Sequence, residues 1–166
     1  MRGGRPAPAS GRGADLTFER RGDRARDDRA APMAALPDAA FGNRADVLTS
    51  DIPAGATTTA RAAARLYDAL LAGTLVSPAQ LAELSSPAVS GTDEVTGAPA
   101  VFGLGYTIGL TAALSEPTLF GMAGSGGTAA FADTATGFCL GVMKNRASMG
   151  DFTTVERTAR IVLQAG

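Results

Sequence analysis

The chain has 166 residues, 45% of them apolar, with 15 basic side chains against 16 acidic ones. That suffices for one domain with a modest core, and the even charge balance makes nucleic acid or a membrane surface an unexpected partner. It has no His, no Trp, one Cys (Cys139) and one Lys (Lys144), which excludes a Cys/His zinc site, a Ser-His-Asp triad, a Cys-His pair and an intrachain disulfide within one chain.

Eight of the fourteen arginines fall in residues 1–30, among five acids and almost no large apolar residues. Residues 1–32 therefore read as a disordered, Arg-rich leader, and 33–166 as the folded part. Met33–Thr57 reads as an irregular lead-in that packs on a core. The N-terminus shows no apolar h-region, so the expected location is cytoplasmic.

Thr58–Ala72 carries the first strong period. Ala63, Leu66, Tyr67, Leu70 and Leu71 recur on one face of a helix, with Arg61, Arg65 and Asp68 off it. The Thr57–Thr59 hydroxyls supply an N-cap and Gly73 a C-terminal stop. Ser77, Pro78 and Gln80 spell a capping box with proline at the first helical position, so a short second helix carries Leu81 and Leu84 and ends at Pro87. Residues 88–99 read as a loop.

Val95–Ser115 runs 21 residues without a charge, about the length that crosses a bilayer core. Four glycines, a proline and three threonines argue against a lipid-facing helix. Instead Phe102, Leu104, Tyr106, Ile108 and Leu110 alternate with Gly103, Gly105, Thr107 and Gly109. This predicts one strand with a bulky face and a nearly bare face against which backbone can lie. Leu119–Met122, Thr128–Ala132 and Phe138–Lys144, separated by turn-forming residues, predict an antiparallel meander. Thr153–Glu156 has capping-box spacing, and Val155, Ala159, Val162 and Leu163 form a stripe, so a final helix packs on the sheet.

Four glycines crowd into Gly121–Gly127. Neither phosphate-cradling pattern, G-x-G-x-x-G opening a helix or G-x-x-x-x-G-K-[ST], is present, so the cluster reads as a tight turn between strands, with an anion site as the rival reading. Cys139 lies in an apolar run with no base to lower its pKa and reads as an inert core residue. Lys144 reads as a solvated cation at a strand end. Asp93 and Glu94 in a loop, and Asp27 and Asp28 in the leader, make no paired-carboxylate site. No cofactor and no metal are expected.

The order IPAGATTTARAAARLYDALLAG, SPAQLAELSSPAVSG, FGLGYTIGL, LFGMAGSGGTAAFADTATGFCLGVMKNR and a closing helix resembles the C-terminal part of the β-lactamase-like serine hydrolases. These are the class C β-lactamase, esterase and D-alanyl-D-alanine peptidase type. The most specific element is F-G-x-x-G-x-G-G, followed by a strand ending F-A-D and another ending N-R. The resemblance implies an α+β fold, an antiparallel β-sheet flanked by helices, of which this chain supplies much of the sheet lobe from about Ala35 onward. It also implies an acyl-enzyme mechanism: a Ser in S-x-x-K as nucleophile, a Tyr in Y-x-N moving protons, and a third motif whose basic residue holds a substrate carboxylate. By position the third motif is Met122-Ala123-Gly124, with Ser125 N–H as oxyanion donor and Gly126 and Gly127 beside the substrate.

The departures from that pattern are plain. Residue 122 is Met, which supplies neither charge nor a hydrogen-bond donor. The only lysine is Lys144 and residue 141 is Gly, so S-x-x-K is absent; Tyr67 and Tyr106 precede Ala69 and Ile108 at the +2 position, so Y-x-N is absent as well. The expectation is a truncated or degenerate member of the family, inactive alone, whose ligand is a small acyl substrate or a carboxylate. Its sheet, lacking a covering lobe, is expected to self-associate. The alternative is a non-catalytic binding or assembly module, in which the 124–127 turn holds an acidic group or the sheet pairs with another chain.

Overall fold

The computed structural model describes residues 43–49, 57–94, 97–146 and 148–164. The expected leader, residues 1–32, and most of the lead-in lie outside the described residues. Described are the helices α1 (Ala45–Leu48), α2 (Ala60–Leu71) and α3 (Pro78–Leu84), then the strands β1 (Val89–Thr92), β2 (Pro99–Phe102), β3 (Thr107–Ile108), β4 (Leu119–Gly124), β5 (Thr128–Asp133) and β6 (Cys139–Val142), and last the helix α4 (Thr153–Leu163). The strands form one antiparallel sheet in sequence order, so each connection is local and the α+β expectation holds.

Both ends of α2 follow from side-chain chemistry. Thr59 Oγ1 accepts from the Ala62 N–H at 3.2 Å. At the other end the Thr74 N–H reaches the Ala69 carbonyl and the Gly73 N–H the Leu70 carbonyl, both at 3.1 Å, with Gly73 at φ +68°. That pair of bonds is the Schellman arrangement, which needs a left-handed residue at this point. Ala63, Tyr67 and Leu70 are buried. Leu66, expected on the same face, is 52% exposed instead: the sheet meets α2 along the 63–67–70 line, and Leu66 stands on its flank. In α3 the capping box is complete, the Gln80 N–H donating to Ser77 Oγ and the Ser77 N–H to Gln80 Oε1.

Strand alternation divides the core into two clusters, one on each face of the sheet. In β5, Ala129 and Phe131 join Leu110, Leu114, Leu119, Val142, Val155 and Ala159, the side covered by α4. Ala132 faces the other way, with Phe120, Ile108, Tyr67 and Leu70, the side covered by α2. The α2 backbone comes very close to β6: a Cβ on Gly141 would stand 2.3 Å from the Ala60 carbonyl oxygen. Glycine is therefore the residue that lets this helix seat on the sheet.

Three local expectations are corrected. Residues 88–99, read as a loop, contain β1 and its hairpin to β2, with Val89 opposite Phe102 and Thr92 opposite Pro99. All four β1 residues are exposed, so VSGT shows no alternation from which a strand could be read. The single strand expected over Phe102–Leu110 is two strands, β2 and β3, joined by a turn in which the Gly103 N–H reaches the Tyr106 carbonyl and Gly105 adopts φ +85°. Gly103 does provide a bare surface for backbone, since a Cβ there would lie 2.6 Å from the Leu84 carbonyl oxygen. Finally, Thr153 does not cap α4. Asp151 Oδ1 accepts from the Thr153 N–H at 3.0 Å, while Glu156, freed from the expected box, accepts from Thr111 Oγ1 at 2.8 Å and ties α4 to the segment before β4. The apolar stripe is as expected, with Val155 and Ala159 fully buried. Among the described residues no helix is long and apolar enough to cross a membrane.

Candidate functional site

The β4–β5 hairpin turns through Ser125, Gly126 and Gly127. Gly124 pairs with Thr128, the Gly127 N–H closes onto the Gly124 carbonyl at 2.8 Å, and Gly127 adopts φ +82°. A three-residue hairpin loop ending in a left-handed residue calls for glycine there, so the glycine cluster does form the tight turn.

The loop is held on one side. Ser148 N–H donates to the Gly126 carbonyl at 3.0 Å and Gly150 N–H to the Ser125 carbonyl at 2.9 Å. In a planar trans peptide the N–H points away from its carbonyl. The Gly126 N–H therefore points away from the 148–150 segment, and the Ser125 N–H away from the Gly124 carbonyl that Gly127 occupies. Neither N–H has an acceptor among the described residues, and Ser125 is exposed. Two neighbouring free donors on a glycine loop are what an anion or a developing oxyanion needs.

Met122, two residues before Gly124, is 44% exposed and shares its strand face with Phe120. Under that face Tyr67, Tyr106 and Phe120 stand edge to face, with centroids 5.5 to 5.9 Å apart. Burial pushes the Tyr67 hydroxyl far above its ordinary pKa, the neighbouring Tyr106 adds to this, and a hydrogen bond from the Met122 backbone opposes it. Tyr67 is thus a neutral structural phenol under β4, and it has no charged form to offer as a base near pH 7.

The remaining candidates lie apart. Cys139 lines a groove of about 320 Å³ with Arg61, Arg65, Asp68, Gly137 and Phe138, and its thiol is pushed up to about 11 by burial and by the Asp68 carboxylate. A thiol raised in this way is a poor nucleophile, and Cys139, expected in the core, is half-buried at the edge of this groove. A second depression, about 410 Å³, is lined by Leu114, Glu116, Arg160 and Leu163 among others. Neither includes any of residues 122–127. Lys144, read as a solvated cation, is corrected: its side chain is only 13% exposed, and Nζ donates to the Asp151 carbonyl at 3.3 Å. The sequence signal for this was the second glycine of Gly126-Gly127, which leaves room for the ammonium. That room could not be read without knowing that β6 ends beside the loop.

The F-A-D element ends in Asp133, which is 5% exposed and organises the β5–β6 turn. Its Oδ1 accepts from the Ala135 N–H at 3.1 Å and its Oδ2 from Thr136 Oγ1 at 2.7 Å. This side chain has a turn-forming role and lies at the opposite end of β5 from the 125–127 loop.

Comparison with known proteins gives a consistent picture. The family model described as Beta-lactamase matches residues 6–164, beginning well upstream of Ala35. Among solved structures, a family VIII carboxylesterase is similar with a TM-score of 0.69 and 26% identity, over 86% of this chain and 41% of its own. A penicillin-binding protein homolog from Caulobacter crescentus is similar with a TM-score of 0.57 and 29% identity, over 64% of this chain and 31% of its own. The chain therefore spans well under half the length of these two proteins. No curated protein matches it.

Proposed function

The chain belongs to the β-lactamase family, and from that premise we propose that it forms the sheet side of an acyl-transfer site, with the Ser125 N–H as oxyanion donor. Gly124, Gly126 and Gly127 shape the loop beside the substrate, and Met122 stands where the family's third motif carries its cation. The observation that carries this reading is the pair of outward N–H groups at Ser125 and Gly126, which have no acceptor among the described residues. One such donor contributes about 3 kcal/mol to a transition state that develops negative charge on oxygen.

In this reading these residues stabilise charge and do not attack. The sequence contains no S-x-x-K and no Y-x-N, so a nucleophile and a proton-moving group are not among its residues, and this stretch alone forms no acyl-enzyme. Met122 offers a soft, uncharged thioether at the mouth of the site. That favours a small neutral ester over a substrate held by its carboxylate.

Met122→Lys tests the reading. Because Met122 is 44% exposed, the substitution should change stability by no more than about 0.5 kcal/mol. It should also tighten acetate binding by up to about 1 kcal/mol, roughly fivefold, with the gain lost at high salt. Denaturant melts and acetate titration of the two proteins make the comparison. A loss above about 2 kcal/mol with no gain in acetate affinity would show that residue 122 is packing and does not border a site.

A further inference from the structure

We propose that Lys144 is the positioning residue of the Ser125–Gly127 loop, clamping it from behind so that the Ser125 and Gly126 N–H groups face outward. The proposal rests on reading that loop as an anion site. Lys144 leaves the end of β6 and runs under the loop with 13% of its side chain exposed. Its Nζ donates to the Asp151 carbonyl at 3.3 Å and stands 3.9 Å from Asp151 Oδ2. Gly127 lies flush on this pair: a Cβ there would sit 2.4 Å from Lys144 Nζ and 2.5 Å from the Asp151 carbonyl oxygen.

Three features hold the loop against the 148–151 segment, two of them at the ammonium. The loop carbonyls of Ser125 and Gly126 accept from Gly150 and Ser148. Asp151, whose carbonyl accepts a hydrogen bond from the Lys144 ammonium, also takes the first N–H of α4 on its carboxylate. Gly127 has no side chain and so lets the ammonium approach the loop backbone. A lysine side chain held with so little exposure gives up conformational freedom that one free to extend past the strand end would keep. The burial is accounted for if the ammonium joins the loop, the 148–151 segment and the start of α4 into one rigid unit, with its positive charge behind the two donors.

Amide-resolved hydrogen exchange on the full chain tests this with Lys144→Met, and with Lys144→Ala as a second variant that removes the ammonium together with most of its stem. The expected result in both is that the Gly127, Ser148 and Gly150 amides exchange about tenfold faster or more, while the β5 amides keep their wild-type rates. The amide shifts of Ser125 and Gly126 should also move. Unchanged loop amides in both variants would overturn the clamp. So would a uniform acceleration of all amides, because that marks general destabilisation. Acetate titration of the wild type judges the underlying reading separately: if the Ser125 and Gly126 amides do not respond, the anion site is rejected, and the exchange rates still decide the clamp.

Discussion

Phe131→Ala should cost about 3–5 kcal/mol of folding free energy, the range for truncating a fully buried Phe. Phe131 has no exposed surface and sits mid-strand in β5, between β4 and β6. It packs in the cluster that includes Leu119, Val142, Val155 and Ala159, so it joins the sheet to α4. Both neighbouring strands and the helix are anchored elsewhere, so the site has little room to collapse, and the cavity term adds to the lost transfer energy. Against a typical domain stability of about 5–15 kcal/mol, the variant retains only part of the wild-type margin. Urea denaturation should show a lower midpoint with an unchanged slope, and a loss below about 1 kcal/mol would mean that the sheet and α4 do not share this core.

The second large effect is at Asp133, where truncation to Ala should cost about 1–3 kcal/mol by leaving the turn donors without their acceptor. Burial alone would raise this carboxyl, but hydrogen bonds from the Thr136 and Thr118 side chains and from the Ala135 and Thr136 N–H groups outweigh it and hold it below its ordinary value of 3.8. A carboxyl with a depressed folded-state pKa binds its proton more weakly in the native chain than in the unfolded one. Its contribution is therefore complete above the unfolded value, about 3.9, and disappears as pH falls through the lower folded value. Wild-type stability should decline in that acid range, and Asp133→Asn, which does not titrate, should flatten the decline. Parallel acid melts of the two proteins with the same slope would show that Asp133 does not supply this dependence.

The elements that could be read from sequence are those whose signals are local. α2 and α3 were specified by Thr59, Gly73, Ser77 and Gln80, each of which satisfies a backbone group within a few residues. The β4–β5–β6 meander was legible because both faces of its strands are covered and the turn glycines fall between apolar runs. β1 was not, since a strand exposed along its whole length gains its place from pairing with β2 and from no pattern of its own. The split between β2 and β3 was hidden because Phe102–Leu110 alternates perfectly, while the turn depends on Gly103 fitting under the Leu84 and Ser86 carbonyls at the end of α3, a contact between elements.

The same distinction applies at the site. Residues 122–127 could be singled out from the spacing of their glycines and from the family resemblance. The free N–H groups of Ser125 and Gly126 depend on the 148–150 segment crossing behind the loop, which no local pattern encodes. Lys144 departs from its expectation for a related reason: a lone cation after an apolar run usually points into water, and here the neighbouring turn closes over it.

Whether the outer face of the Ser125–Gly127 loop binds negative charge is decided by titrating acetate into the isotope-labelled chain while following every backbone amide. The Ser125 and Gly126 amides should shift together along one binding curve and respond more than any other amide, with the effect weakening as salt is added. A response confined to the Arg61 and Arg65 groove, or none at these two amides at any acetate concentration, would contradict binding at the loop.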